Sequence, residues 1–311
     1  MIAPGALCLP ARAKLNLHLR IVGRRADGYH LLETLFHALE LHDDVTMALQ
    51  PAGIDISVTA DDPALQVTAG PDNLVVRALT RLAERTGYRG GFAVTLHKRI
   101  PHGGGLGGGS SDAAAALRLG NALLGAPLTL DELAVLATPL GADVPFFLRG
   151  GSQWGTGIGD VLRPVSVTPR DYVLVVPPFG CPTADVYKSF AALWKSGVSA
   201  DTVRTIPVSD TTDALLREGF HNDLQAAAER VRPELAALRQ RVAALGRREV
   251  GMTGSGSTLF VSAPSVTAAQ QCARDLAPLA VTGVRTIVTR SAVGVDEPRP
   301  PDEVAGGSGR R

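Results

Sequence analysis

The sequence predicts a mixed α/β protein of the α+β type, folded in two domains. Segments of strand period alternate with segments of helical period along the chain. Its 311 residues exceed what one core of ordinary size organises. With 45% hydrophobic and 20% charged residues, the composition is that of a globular protein and not of a disordered or fibrous one.

Residues 13–21 open the first domain as a strand. Leu15, Leu17, Leu19 and Ile21 alternate with Lys14, Asn16, His18 and Arg20, so the two sets point to opposite faces. Strand-like runs follow at 34–41, 45–49 and 54–59, the last after the turn-forming Pro51-Ala52-Gly53. A helix over 74–86 has its apolar stripe in Leu74, Val75, Ala78, Leu79, Leu82 and Ala83, a cap in Asp72 or Asn73, and a stop at Gly87. Residues 92–98 form another strand, followed by a glycine-rich loop and an alanine-rich helix over about 111–124. Thr129 and Glu132 are spaced as a capping box for a helix near 130–138. Two strands are expected within 146–163, around a turn at Gly155–Gly159.

The strand at 172–177 opens the second domain. Helical patterns follow at 184–194, 211–218, 222–231 and 233–245, then a strand around 251–261, a helix at 266–278 and a last strand at 283–290. The division is therefore 1–164 and 165–293. The Pro- and Gly-rich remainder, 294–311, has almost nothing to bury and is expected to be disordered.

Charge and cysteine content narrow the function. A net charge of +1 offers no broad basic field for nucleic acid or an acidic membrane, so anion recognition has to be local. Cys8, Cys181 and Cys272 are too scattered for a disulfide framework or a CxxC metal site. No run approaches the roughly 20 apolar residues of a membrane helix, and the N-terminal residues lack the pattern of a signal peptide. A cytoplasmic enzyme is the expectation. Only four of the 31 basic residues are lysines, Lys14, Lys98, Lys188 and Lys195, which marks them as places where a compact ammonium suits better than a guanidinium.

The strongest chemical signal is the loop Pro101-His102-Gly103-Gly104-Gly105-Leu106-Gly107-Gly108-Gly109-Ser110-Ser111, set between a strand and a helix. A helix N-terminus leaves N–H groups unpaired and carries partial positive charge. Glycines let the backbone close on an anion, and the serines add hydroxyl donors or a Mg²⁺ ligand. The order strand, glycine loop, helix therefore predicts phosphate binding. No lysine precedes the serines, which excludes GxxxxGK[ST], and no acidic residue sits on a second strand about 20 residues on, as a dinucleotide fold requires.

This loop resembles the phosphate loop of the GHMP kinase superfamily. Four further segments are similar to that superfamily, in its order: Ala13-Lys14-Leu15-Asn16-Leu17, Arg25-Ala26-Asp27-Gly28-Tyr29-His30, Gly141-Ala142-Asp143-Val144-Pro145-Phe146, and the turn Gly254-Ser255-Gly256-Ser257. The resemblance implies a two-domain fold, an N-terminal ATP-binding domain lacking the P-loop lysine and a C-terminal α+β domain on the substrate side. The implied activity is ATP-dependent phosphorylation of a small-molecule alcohol. The doubled glycine triplets are most similar to members acting on a cytidine diphosphate-linked methylerythritol. ATP would then be the co-substrate, with Mg²⁺ held by phosphates and water, and small molecules the partners.

Residue by residue, the resemblance makes Asp143 the base for the acceptor hydroxyl and Lys14 the cation that polarises the acceptor oxygen, with Asn16 bonding the acceptor. Tyr29 and Tyr187 would sandwich the cytosine while His30 reads its polar edge, and Thr183 lies in the same segment as Tyr187. Lys98, Asn73 and Leu74 would approach ATP together with residues 101–111. From the residues alone, Asn73 serves equally as a helix cap, and Tyr187 has Val186, Phe190 and Leu193 as helix-packing neighbours. His102 and His18 depart from the family's smaller or apolar residues. A mevalonate- or homoserine-type kinase, or an inactive ATP-binding sensor of the same fold, remains the alternative.

Overall fold

The computed structural model describes residues 5–195, 215–216, 219–246 and 249–301. Two long antiparallel strands, β1 (Leu7–Arg24) and β2 (His30–Gln50), form its spine. β2 replaces the two strands expected at 34–41 and 45–49. No glycine or proline interrupts residues 31–50, so the ladder with β1 runs on through both.

The ladder is not regular. Register shifts fall between Arg12 and Lys14, between Asn16 and His18, and between Ile21 and Gly23. The first shift leaves two extra residues on β2 and the other two leave one extra residue each on β1, and such irregularities change the face to which successive side chains point. Before the first shift, Leu9 and Ala11 enter the core under the first domain's helices. After it, Leu15 and Leu17 face a different core, shared with the second domain, and Lys14 and Asn16 take the helix side. Beyond the second shift, Leu19 and Ile21 join the second domain's own core. The polar face of this strand is consequently buried: Lys14 and Asn16 are 2% and 4% exposed.

β3 (Ile54–Ala60) runs parallel to β4 (Gly91–Lys98), and α1 (Leu74–Thr86) connects them. Asn73 caps α1 through its side chain, which accepts from Val75 N, and Gly87 ends it in a left-handed conformation. β4 pairs with β2, and α2 (Gly108–Leu123) follows the glycine loop. This helix begins three residues before the expected start. α3 (Leu130–Ala137) carries the capping box of Thr129 and Glu132.

Where a strand was expected from residue 146, the chain forms α4 (Val144–Arg149). Pro145 sits in its first turn, a position that needs no N–H, instead of holding the chain extended. β5 (Ser152–Thr156) pairs with β2, and β6 (Val161–Pro164) pairs with β5. Gly155 therefore lies within a strand, and the turn falls after it.

The second sheet has the order β11-β7-β10-β9, from β7 (Asp171–Val176), β9 (Gly251–Met252), β10 (Leu259–Ala263) and β11 (Arg285–Arg290). The single strand expected over 251–261 is split because Gly254 and Gly256 take φ of 56° and 82°, outside the strand region. Helices α5 (Thr183–Lys195), α6 (Gln225–Val231), α7 (Pro233–Gly246) and α8 (Val266–Asp275) cover this sheet. β8 (His221–Asn222) crosses back to pair with β1 at His18 and Leu19, so α6 starts at Gln225 and not at residue 222. The helix expected at 211–218 falls mostly outside the described residues.

The two sheets share a core in which Leu15, Leu17, Leu35 and Leu39 meet Tyr172, Leu174, Val176 and Phe260. Residues 294–301, expected to be disordered, lie against the first domain. Arg299 exchanges two backbone hydrogen bonds with Cys8, Asp296 pairs with Arg12, and Glu297 pairs with Arg118. The sequence argument counted apolar burial only, whereas backbone pairing and ion pairs hold this segment. Residues 302–311 lie outside the described residues.

Candidate active site

Between the two domains lies a cleft of about 920 Å³. Lys14, Asn16, Thr34 and Phe36 from the β1–β2 ladder form its floor, with Gly105, Gly107 and Ser110 on one wall and Tyr187 and Lys188 of α5 on the other.

Asp143 immediately precedes α4, and its side chain makes no capping bond to that helix, which leaves the carboxylate facing the cleft. Asp143 Oδ2 stands 3.4 Å from Lys14 Nζ. The same ammonium donates to Asn16 Oδ1 at 2.5 Å and lies 5.7 Å from the centre of the Phe36 ring. Asn16 is fixed in turn: its Nδ2 donates to Thr34 Oγ1 at 2.7 Å, and its backbone N–H donates to Thr253 Oγ1 at 3.1 Å. The predicted trio of Lys14, Asn16 and Asp143 is thus brought together. A lysine and a carboxylate separated by 129 positions meet because the first bulge of β1 turns Lys14 toward the start of α2.

The glycine loop is braced from behind by the second domain. Thr258 N–H donates to Gly104 O at 3.2 Å and Thr253 Oγ1 donates to Gly105 O at 3.2 Å, while Lys14 N–H donates to Leu106 O at 3.0 Å. These bonds engage the carbonyls of Gly104, Gly105 and Leu106. Leu106 is buried in the shared core, which anchors the loop midway. Ser110 lines the cleft. Ser111, one residue on, is 2% exposed and turns to the opposite side of α2, toward Arg12 and Arg118. Pro101, Gly104 and Gly108 are buried, and His102, Gly103 and Gly109 are exposed outside the cleft lining.

Three of the residues expected near ATP sit apart from the cleft lining. Asn73 is committed to capping α1 and to Thr68 O, at 2.8 Å. Leu74 packs toward Gly109 at the head of α2. Lys98 is 2% exposed beneath the loop, where its ammonium bonds Asp43 and, at 2.6 Å, Asp112. Burial opposes the charge on Lys98, but the two carboxylates reverse that and raise its pKa. Burial, reinforced by Asp43 and opposed by Lys98, pushes Asp112 up to about 7.

At the far end of the cleft, His30 and Tyr187 lie ring to ring at 5.1 Å with a 33° tilt, and Phe190 meets His30 edge-on at 5.9 Å. Burial, with the nearby Asp143 carboxylate, pushes the Tyr187 phenol up to about 12. Burial and then Arg24 lower the pKa of His30. Both rings are therefore neutral near pH 7 and suited to stacking on a base. Tyr29 lines the same end but is 61% exposed, and the partner found for Tyr187 is His30. Thr183 Oγ1 and Ser255 Oγ are 3.0 Å apart on the wall between these rings and the loop.

Residues 73–151 match the model of the GHMP kinases N-terminal domain, and residues 210–278 that of the C-terminal domain. A 4-diphosphocytidyl-2-C-methyl-D-erythritol kinase of Bordetella parapertussis is 42% identical over 83% of this chain and 82% of its own length. The chain belongs to the GHMP kinase family. The protein of the same description from Moorella thermoacetica is 39% identical over 92% of this GHMP kinase and 99% of the relative. A crystal structure of 4-(cytidine 5'-diphospho)-2C-methyl-D-erythritol kinase, 36% identical, superposes with a TM-score of 0.75 over 92% of this chain and all of the other. The homoserine kinase of Cytophaga hutchinsonii, 20% identical with a TM-score of 0.68, shares the GHMP kinase fold.

Thr34, Phe36 and Thr253 escaped the sequence reading. Thr34 and Phe36 sit in a long hydrophobic strand with no local punctuation. Thr253 immediately precedes the Gly254–Ser257 turn, and that adjacency was the available signal.

Proposed function

We propose that this GHMP kinase transfers the γ-phosphoryl group of ATP to the C2 hydroxyl of 4-(cytidine 5'-diphospho)-2-C-methyl-D-erythritol, giving the 2-phosphate and ADP. The observation that carries the reading is the Lys14–Asp143 pair, 3.4 Å apart, between a braced glycine loop and a ledge of neutral aromatic rings. An alcohol entering the cleft with its base on the ledge brings its hydroxyl to the carboxylate.

In this reading the Asp143 carboxylate accepts the proton of the acceptor hydroxyl as the oxygen attacks the γ-phosphorus. The bond from phosphorus to the β,γ-bridging oxygen breaks, and ADP leaves with that oxygen. Phosphoryl transfer needs mainly positioning and charge neutralisation. Lys14 supplies both: buried and held by Asn16, its ammonium faces the acceptor oxygen and the negative charge that develops there. The triphosphate lies along the loop amides and the head of α2. Mg²⁺, when bound, adds neutralising charge on the phosphates. Ser110 Oγ is a hard oxygen donor facing the cleft and fits such an ion, whose other ligands would be phosphate and water. The cytosine rests on Tyr187 and His30, and the exposed Tyr29 closes over its other face.

The same reading assigns the nucleotide to the unit ending near residue 164 and the aromatic ledge jointly to β2 and α5. It places the enzyme in the methylerythritol route to isoprenoid precursors. Three scattered, buried cysteines favour a cytoplasmic setting. Among the described residues, no helix is long and apolar enough to cross a membrane.

The test is ADP release from the purified chain with four acceptors: the cytidylated methylerythritol, mevalonate, homoserine and galactose. Turnover is expected with the first alone. Turnover with mevalonate or homoserine and none with the first would overturn the assignment.

A further inference from the structure

Lys98 carries more structural commitment than a nucleotide contact explains. It is the last residue of β4, and its ammonium is shut in beneath the glycine loop between two carboxylates from different elements. Asp43, on β2, is fully buried. Besides Lys98 it accepts the backbone N–H groups of Arg99 and Ile100, the two residues that lead from β4 into the loop. Asp112, in the second turn of α2, bonds Lys98 through one oxygen, and its other oxygen finds no donor among the described residues. Above the ammonium, a Cβ on Gly108 would come within 3.4 Å of Lys98 Nζ. The head of α2 therefore rests directly on the cluster.

Two carboxylates share one ammonium close to the place where phosphates would bind, and burial drives Asp112 toward its neutral form. A site arranged only to attract anions would not bury a second carboxylate there, and an apolar replacement of similar volume often costs a fold nothing. Geometry accounts for the cluster better than attraction does. One ammonium joins the strand that enters the loop to the helix that leaves it, while Asp43 fixes the first two peptides between them.

We propose that Lys98 is a positioning residue for nucleotide binding: held between Asp43 and Asp112, it clamps both ends of the glycine loop and sets the span of the cradle before any phosphate arrives. The inference rests on the kinase reading in taking this loop as the nucleotide cradle. It does not depend on the identity of the acceptor. The value of such a clamp is preorganisation, since a loop already ordered loses less entropy on binding.

The test compares the full chain with its Lys98→Met variant by calorimetric titration with ADP and, separately, with CDP as the probe of the aromatic end. A folded Lys98→Met chain is expected to bind ADP about tenfold or more weakly and CDP within about twofold of the parent. ADP affinity retained, or ADP and CDP weakened alike, would overturn the proposal. Hydrogen exchange on the parent chain supplies a readout that survives a folding failure of the variant. The Arg99 and Ile100 amides should exchange slowly without nucleotide, with ADP adding little. Fast exchange that slows only with ADP would mean that the ligand shapes the loop, and the clamp would be wrong. Should the chain fail to phosphorylate the cytidylated acceptor, the ADP titration and the exchange still judge the clamp.

Discussion

Two glycines of the same loop allow the brace from the second domain to be separated from backbone strain. Gly103 and Gly105 have φ of +71° and +80°, so alanine at either is forced into the left-handed region. That strain costs roughly 1–2 kcal/mol in each case. The neighbours differ. A Cβ at Gly103 meets nothing within 4 Å, whereas one at Gly105 would lie 2.3 Å from Thr253 O. Thr253 is fully buried, and its hydroxyl both receives Asn16 N–H and donates to Gly105 O, so this carbonyl has nowhere to retreat. Either the loop or the turn has to move, and displacement of about 1 Å at a phosphate-transfer site costs on the order of 10²-fold in rate. Gly103→Ala should lose about 1–2 kcal/mol in denaturant unfolding and hold ADP affinity within about threefold. Gly105→Ala should lose at least about 3 kcal/mol and bind ADP roughly 30-fold or more weakly. Chemical denaturation and calorimetric ADP titration of the pair measure both quantities. Equal effects from the two substitutions would show that contact with Thr253 does not shape the loop.

Asp143→Asn removes the proposed base but no contact to the loop. The turnover number should fall by roughly 10²-fold or more, with ADP affinity unchanged in the same titration; near-parental turnover would remove Asp143 from its role. Tyr187→Ala should raise the KM for the cytidylated acceptor about tenfold, in line with about 1–3 kcal/mol per stacked base. Its KM for ATP should stay within about twofold, and equal shifts in both would make Tyr187 a packing residue. His37, held between Ser152 Oγ at 2.8 Å and Ser291 Oγ at 2.7 Å, has its pKa lowered by burial and then Arg170 to about 4. The folded state keeps it neutral while the unfolded chain takes up a proton from about pH 6.5. Its contribution is complete above that pH and is lost as pH falls through about 4. Relative to a His37→Gln variant, the parent should therefore lose roughly 3 kcal/mol more between pH 7 and pH 4 in urea unfolding. Parallel pH profiles would contradict the assignment of a neutral buried imidazole.

Much of the site was legible because its chemistry is local. The glycines of 103–109, set between a strand and a helix, point to an anion cradle within eleven residues, and the resemblance of residues 141–146 to the superfamily's motif singles out Asp143. Helices α1 and α3 followed from their periodicity and caps, since Asn73 and the pair Thr129 and Glu132 act on backbone only a few residues away. What failed was of two kinds. Pro145 suits an extended chain and the first turn of a helix equally, and the choice between the strand expected from residue 146 and α4 rests on tertiary packing of Phe146. The contacts of Lys98 with Asp43 and of Asn16 with Thr253 span 55 and 237 positions, and no spacing in the chain reveals them. His30 rather than Tyr29 lies against Tyr187 for the same reason: the two are neighbours where β2 begins, and only the three-dimensional path of α5 selects between them.

The bulges of β1 make the length of that strand as consequential as its composition. Were the ladder regular between Arg12 and Lys14 at unchanged chain length, the odd-numbered residues would keep the helix side, Leu15 would face the carboxylate and Lys14 would enter the apolar seam between the sheets. A strand of the same letters without that irregularity would still alternate perfectly on paper and no longer offer an ammonium to Asp143. Any graft of this strand into another scaffold would have to carry its irregularities along with its letters.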